Sequence, residues 1–285
     1  MSEFNFQEIL QYALRSQLSY ALTKSGLPIM KQLGWRITCP NEIHLLEVPE
    51  VDINVIIELD RVRKIQWIAV RGTRDFKNWL KDLDYIEDCS LEQGKDISVE
   101  FHYGFCKASK TVFVAIKEYL QSDYQTRITG HSLGGAIAAI LTFIMKDKNY
   151  SVEQCVTFGQ PRVSNHKRGQ LSDLPLLRVI NRGDLVAAAP LNSLVSWFKG
   201  DYAHLGGEIQ LDKDSYVYSE HDDRSLKPEF SGQLTDGDAD IVFEDIKEHR
   251  MENYLQNITS NIDSSPVDLS YSNNRFVAQN IVREH

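Results

Sequence analysis

Between Phe6 and Leu22 the apolar residues Phe6, Ile9, Leu10, Ala13, Leu14, Leu18, Ala21 and Leu22 return every three or four positions, which predicts an amphipathic helix with one face to bury. The period then changes. Ile53, Val55, Ile57 and Leu59 alternate with their neighbours, while Lys64 to Val70 is more continuously apolar. The two runs predict a half-covered strand and a more buried one, joined as a hairpin around Asp60 to Arg63. Helical spacing resumes from Ser109 to Leu120 through Val112, Phe113, Ile116, Tyr119 and Leu120. Strands are expected at Gln125 to Thr129, Gln154 to Phe158 and Leu177 to Ile180. Between the first two lies Ala136 to Met145, apolar but for Thr142, as a buried helix must be. Strand and helix alternating in this way predict an α/β fold with a largely parallel central sheet and helices on both faces.

The apolar run ending at Met145 falls well short of the roughly 20 residues a bilayer crossing needs, so no transmembrane segment is expected. From Ser260 to His285 the chain is rich in Asn, Ser and Asp and reads as an irregular tail, with an edge strand at Arg275 to Val282. This divides the chain into one domain, residues 1–259, and a tail, 260–285. At 285 residues, 42% hydrophobic and 25% charged, the composition suits a single α/β domain, and a formal charge of −9 argues against nucleic acid as a partner. The start, Met1 to Glu8, has neither the basic residues nor the apolar core of an export signal. Cys39, Cys89, Cys106 and Cys155 form no Cys-x-x-Cys pair and are expected to be free thiols, which with the N-terminus gives a cytoplasmic expectation.

Chemistry enters at Gly130-His131-Ser132-Leu133-Gly134, a Gly-x-Ser-x-Gly segment between a strand and a buried helix. A serine hydroxyl is a weak nucleophile until a base removes its proton, and a sharp strand-turn-helix elbow holds it where a base can reach. Gly130 and Gly134 are what that elbow requires, because a side chain at either would strike the neighbouring strand or helix. Ser132 is therefore the candidate nucleophile. In hydrolases of this build the chain order is serine, acid, histidine. Asp184 lies just past the strand ending near Ile180, where sites of parallel sheets assemble, although Asn181-Arg182-Gly183-Asp184 is also ordinary turn chemistry. For the base, His285 is terminal and His221 sits in an acidic stretch, which leaves His204 and His249.

Several blocks in order resemble the class 3, or fungal-type, lipase family. They are Val70-Arg71-Gly72-Thr73, Asn78 to Leu83, His102-Tyr103-Gly104-Phe105, the elbow, Thr157 to Val163, Asn181 to Val186, and His249 with Tyr254-Leu255. The resemblance implies the α/β-hydrolase fold, with Ser132 as nucleophile, Asp184 as acid and His249 as base. His204 matches a family histidine that is not the base. An oxyanion hole would be formed by Leu133 and Thr73; for Leu133 this also follows from its place at a helix N-terminus. Phe76, Trp79 and Leu80 fall where these lipases carry a short lid, with Phe76 the best candidate to face lipid. The family's usual proline after the acid segment is absent, since Val186 is followed by three alanines, and Asp214 to Gly237 has no family counterpart. The implied activity is hydrolysis of lipid esters, of triacylglycerol lipase or phospholipase/galactolipase type, through an acyl-enzyme. It needs no metal or cofactor, and its partners are the ester substrate and a transiently contacted lipid surface. The competing readings are a small-ester or thioester hydrolase, and a catalytically silent binding protein.

Overall fold

The computed structural model describes residues 4–21, 42–72, 88–93, 97–164, 174–184, 186–188, 203–219, 247–262 and 268–269. Helix α1 (Phe6–Ala21) follows the predicted periodicity, and the Asn5 side chain accepts the Glu8 N–H in its first turn. Strands β1 (Glu42–Val48), β2 (Ile53–Asp60) and β3 (Ile65–Val70) come next, β2 and β3 forming the expected hairpin. Its turn is set by Asp60, whose carboxylate accepts the N–H groups of Val62 and Arg63. A separate hairpin of β4 (Asp88–Gln93) and β5 (Ile97–His102) leads into helix α2 (Tyr103–Ile116). Then come β6 (Gln125–His131), α3 (Leu133–Asp147), β7 (Val152–Phe158) and β8 (Leu176–Asn181). The remaining elements are β9 (Gly207–Leu211), β10 (Tyr216–Ser219), α4 (Met251–Ser260) and β11 (Asp268–Leu269).

Among the described residues the main sheet runs β1-β2-β3-β6-β7-β8-β9-β10-β11. From β3 through β9 every pairing is parallel, and β1, β2 and β10 are antiparallel additions. The strand side chains divide between two cores. Ile68, Val70, Ile128 and Cys155 face Val112, Ile116, Ile137 and Ile140 of α2 and α3. Trp67, Val156, Phe158 and Val179 face Phe6, Ile9 and Tyr12 of α1 and Tyr254 and Ile258 of α4. Helices thus cover both faces. Leu133 to Met145 is buried throughout, which is why that segment is apolar all round.

The structure corrects several expectations. Helix α2 begins at Tyr103, not Ser109, because Phe105 and Cys106 already point into the core and Gly104 masks the first turn of the pattern. Strand β1, the β4–β5 hairpin, β9, β10 and helix α4 were not anticipated. Cys89 and Cys106 are not free thiols: they are joined in a disulfide tying β4 to α2, while Cys155 is a buried free thiol. Spacing in sequence could not reveal that pairing, because it depends on the hairpin folding back against the helix. Within the stretch expected as tail, α4 reaches Ser260 and Asp268–Leu269 pairs in parallel with β10. Leu22, Cys39 and Arg275 to Val282 lie outside the described residues. No helix among the described residues is long and apolar enough to cross a membrane.

Candidate active site

Four chain segments meet at the carboxyl edge of the parallel strands, where an open α/β sheet places its ligands. The first is the elbow. β6 ends at His131, α3 begins at Leu133, and Ser132 between them has φ 58° and ψ −129°, a conformation a non-glycine residue adopts only when its surroundings impose it. Phe158 and α3 impose it: the Ser132 N–H donates to the Phe158 carbonyl, and the Ser132 carbonyl accepts from Gly135 and Ala136. The glycines are needed as expected. A Cβ on Gly130 would lie 2.8 Å from the Gly135 nitrogen, and one on Gly134 would lie 2.8 Å from the Gly72 nitrogen. Leu133 occupies the first position of α3, where backbone N–H groups lack intrahelical partners.

The second segment follows β8. The Asp184 N–H closes a turn onto the Asn181 carbonyl, and the Asp184 side chain is turned inward and fully buried. Turn chemistry and a buried acid coexist there. The third segment, Lys247 to Arg250, enters α4 and brings His249 to that carboxylate, with Nδ1 2.9 Å from Oδ2 and 3.1 Å from Oδ1. A carboxylate can only accept, so Nδ1 carries a proton and Nε2 is left with its lone pair. The Val186 N–H donates to Asp184 Oδ1 at 2.9 Å, and the Tyr254 hydroxyl donates to Oδ2 at 2.5 Å. Burial opposes ionisation of Asp184, but the charge of His249 and the hydrogen bonds from His249 and Tyr254 outweigh it and hold the carboxyl below its ordinary range. His204 is elsewhere engaged, its Nε2 donating to the Ala187 carbonyl at 2.8 Å. Of the two histidines left open by chain order, the fold brings His249 to Asp184.

The fourth segment is the end of β3. Gly72 lies against the elbow, where an added Cβ would come 3.3 Å from Cβ of Ser132. Thr73, Phe76, Trp79 and Leu80, and with them the expected second oxyanion residue and the lid, lie outside the described residues, as do His221 and His285. Ser132 and His249 are buried, only 2% and 7% exposed.

Sequence reasoning quoted four further residues without giving them a task. Gly159 (φ 54°) follows β7 directly beneath the acid–histidine pair, and a Cβ there would lie 2.7 Å from Asp184 Oδ2 and 2.8 Å from His249 Nδ1. Tyr254 is held by the Asn181 N–H, which donates to its hydroxyl at 3.1 Å. The Asn181 side chain in turn donates to the Glu248 carbonyl at 2.9 Å and so anchors the histidine segment. His131 is buried, its ring 4.5 Å from that of His249. Burial, and then the neighbouring His249, push the His131 imidazole down to about 3. Tyr254 was legible only as part of a family block and Gly159 only as a glycine after a strand, because the partners that give each its task are assembled only by the fold.

Residues 67–194 match the family model described as Lipase (class 3). Among similar proteins, the secreted mono- and diacylglycerol lipase 1 of Fusarium solani is 28% identical over 175 residues, covering 56% of this chain and 50% of the relative. The chloroplastic phospholipase A1-Igamma3 of Arabidopsis thaliana is 29% identical over 192 residues, covering 51% and 36%. The chain spans half or less of the length of these relatives. Among solved structures, the lipase from Rhizopus microsporus var. chinensis superposes with a TM-score of 0.61 at 22% identity, over 86% of this chain and 85% of that one, a likeness of fold. The mostly parallel sheet, the helices on both faces and the serine elbow between β6 and α3 are the α/β-hydrolase fold, and within it residues 67–194 are similar to the class 3 lipase family.

Proposed function

We propose that the protein is a serine carboxylic ester hydrolase that cleaves lipid esters through an acyl-enzyme. The observation that carries this reading is the Asp184–His249 pair, buried and hydrogen-bonded, at the same sheet edge as the strained Ser132 elbow. In the reaction, His249 Nε2 takes the Ser132 proton as Oγ attacks the ester carbonyl, and Asp184 stabilises the imidazolium that forms. The tetrahedral oxyanion is met by the Leu133 N–H at the start of α3 and by Thr73. His249 then returns the proton to the leaving alcohol, and water repeats the cycle on the acyl-serine. Lipid as the substrate class rests on the relatives, which are named as an acylglycerol lipase and a phospholipase A1, and Phe76, Trp79 and Leu80 are proposed to form the lid.

The site of action belongs to the same proposal. The cytoplasmic expectation leaned on free thiols, yet Cys89 and Cys106 are bridged, and one relative is named as secreted. Structural disulfides persist in oxidising surroundings. We therefore favour an oxidising compartment, and recovery of both cysteines as reduced thiols from the native source would reverse that choice.

A series of p-nitrophenyl esters of rising acyl length tests the activity. Long-chain preference supports a lipase, short-chain preference a small esterase, and no turnover a silent binding protein. Ser132→Ala and His249→Ala are each expected to leave at most ~10³ to 10⁴ over water, while His204→Ala keeps most of the rate. A folded, inactive His204→Ala beside an active His249→Ala would refute the assignment of the base.

A further inference from the structure

Three of the four segments that meet at the site are linked by a run of contacts through Tyr20 and His131 that the reaction itself does not use. It begins at Gly72, the last described residue before Thr73, which lies directly against the Tyr20 hydroxyl. Tyr20 stands in the last turn of α1, and its oxygen fills the space that a side chain on Gly72 would need. The Tyr20 hydroxyl lies 2.8 Å from His131 Nδ1. On the far side of that ring, His131 Nε2 lies 2.7 Å from the main-chain carbonyl of His249. A carbonyl can only accept, so Nε2 bears the proton and Nδ1 accepts from Tyr20; the donors and acceptors agree along the whole chain. The rings of His131 and His249 lie 4.5 Å apart at 33° to one another, and Tyr20 meets the His131 ring edge-on at 5.7 Å.

We propose that Tyr20 and His131 are positioning residues, fixing the main chain of the base relative to the nucleophile and the end of β3 through the chain Gly72–Tyr20–His131–His249. This rests on the assignment of Ser132 and His249 given above. His131 is covalently adjacent to Ser132, so its hydrogen bond to the His249 carbonyl spans from the nucleophile's own backbone to the base's own backbone in one step. Asp184 orients the His249 ring through Nδ1, and a ring so oriented still moves with its backbone. The bond from His131 removes that freedom, and Tyr20 makes it available by selecting the ring tautomer that donates toward His249. The N-terminal helix, more than one hundred residues from the elbow in sequence, thereby becomes part of the active-site framework. Displacing reacting groups by about 1 Å costs on the order of 10² in rate, so a bond that holds two of them in register matters to kcat more than to substrate binding.

The test combines spectroscopy with kinetics on the full chain. In protein carrying ¹⁵N-histidine, His131 is expected as the Nε2–H tautomer; an Nδ1–H tautomer overturns the proposal whatever the protein catalyses. Tyr20→Phe keeps the ring and removes the hydroxyl, and is expected to mix the two tautomers and lower kcat by about 10-fold on p-nitrophenyl butyrate with little change in KM. His131→Phe should lose about 10² in kcat, and His131→Gln, whose amide can still donate to the His249 carbonyl, should recover most of that loss. Native near-UV circular dichroism with wild-type kcat in His131→Phe, or a His131→Gln as impaired as His131→Phe, would overturn it. Ser132→Ala run alongside separates the two levels: an undiminished rate there sinks the proposed function, while the tautomer measurement still judges the hydrogen-bonded chain. Should His131→Phe fail to fold, Tyr20→Phe and the tautomer decide.

Discussion

His131 makes the fold sensitive to mild acid, and the size of the effect follows from its surroundings. In the unfolded chain an imidazole takes up a proton near pH 6.5, whereas burial and the adjacent His249 push His131 down to about 3 in the folded protein. Across that window the unfolded state holds a proton that the folded state refuses, so stability from this residue is complete above about pH 6.5 and is lost as the pH falls. The loss is about 1.4 kcal/mol per pH unit, or about 2 kcal/mol between about pH 7.5 and about pH 5. Other groups in the chain also change charge with pH, so the informative quantity is a double difference. Urea unfolding of wild type and His131→Gln at both pH values, followed by fluorescence and far-UV circular dichroism together, isolates it. Wild type should lose about 2 kcal/mol more than the variant, roughly a 0.7 M larger fall in midpoint at a slope of roughly 3 kcal/mol per molar. Equal losses in the two proteins would mean that His131 is not kept neutral by burial, and the electrostatic reasoning would fail.

Three other outcomes are expected. Gly159→Ala puts a Cβ within 2.8 Å of both Asp184 and His249 at a residue whose φ is 54°, and should lower kcat by about 10² or more; wild-type ester hydrolysis would show that the pair tolerates the intrusion. Tyr254→Phe removes a hydrogen bond to a buried carboxylate and should cost about 1.5–3 kcal/mol near neutral pH, measured by urea unfolding. Because Asp184 titrates below its unfolded value of 3.8, that contribution is present above this value and disappears as the pH falls through the lower folded one; a cost that persists unchanged in stronger acid would assign it to packing instead. Replacing Cys89 and Cys106 together by serine frees a loop of 17 residues and should cost about 3 kcal/mol, and an unchanged midpoint would show that the hairpin holds without its bridge.

The elements legible in the sequence are those whose side chains meet a covered surface of simple shape. α1 and the β2–β3 hairpin have the pattern of a half-buried helix and paired strands, and α3 has the uniform apolarity of a helix buried all round. α4 was not legible because its mean character is balanced and only Met251, Tyr254 and Ile258 are buried, a stripe too narrow to stand out beside the unpatterned stretch before it. β9 hides a buried charge, since Glu208 pairs with Arg178 of β8 beneath the sheet surface, and an ion pair whose halves come from separate strands looks polar in both. The Cys89–Cys106 bridge belongs to the same class of hidden feature, created where the β4–β5 hairpin folds back against α2.

The site divides along a similar line. The proposed nucleophile and acid have strict local requirements, so Ser132 is announced by the glycines that let its turn form, and Asp184 by its position at a strand end. Groups that act by holding others need only the right atom at the right place, and many residue types in many sequence contexts can supply one. Tyr254 supplies a hydroxyl to Asp184, Asn181 an N–H to Tyr254 and an amide to the Glu248 carbonyl, and Tyr20 a proton to His131. Each is separated from what it holds by 65 residues or more, so nothing near it in the chain marks its purpose. His131 shows the two kinds in one position: its place in the elbow is fixed by sequence, while its task follows from a tyrosine and a carbonyl that only the folded chain brings to its two nitrogens. A change at such a holding residue should therefore appear as a loss of kcat in a folded protein with its nucleophile intact, and motif inspection alone would leave it unexplained.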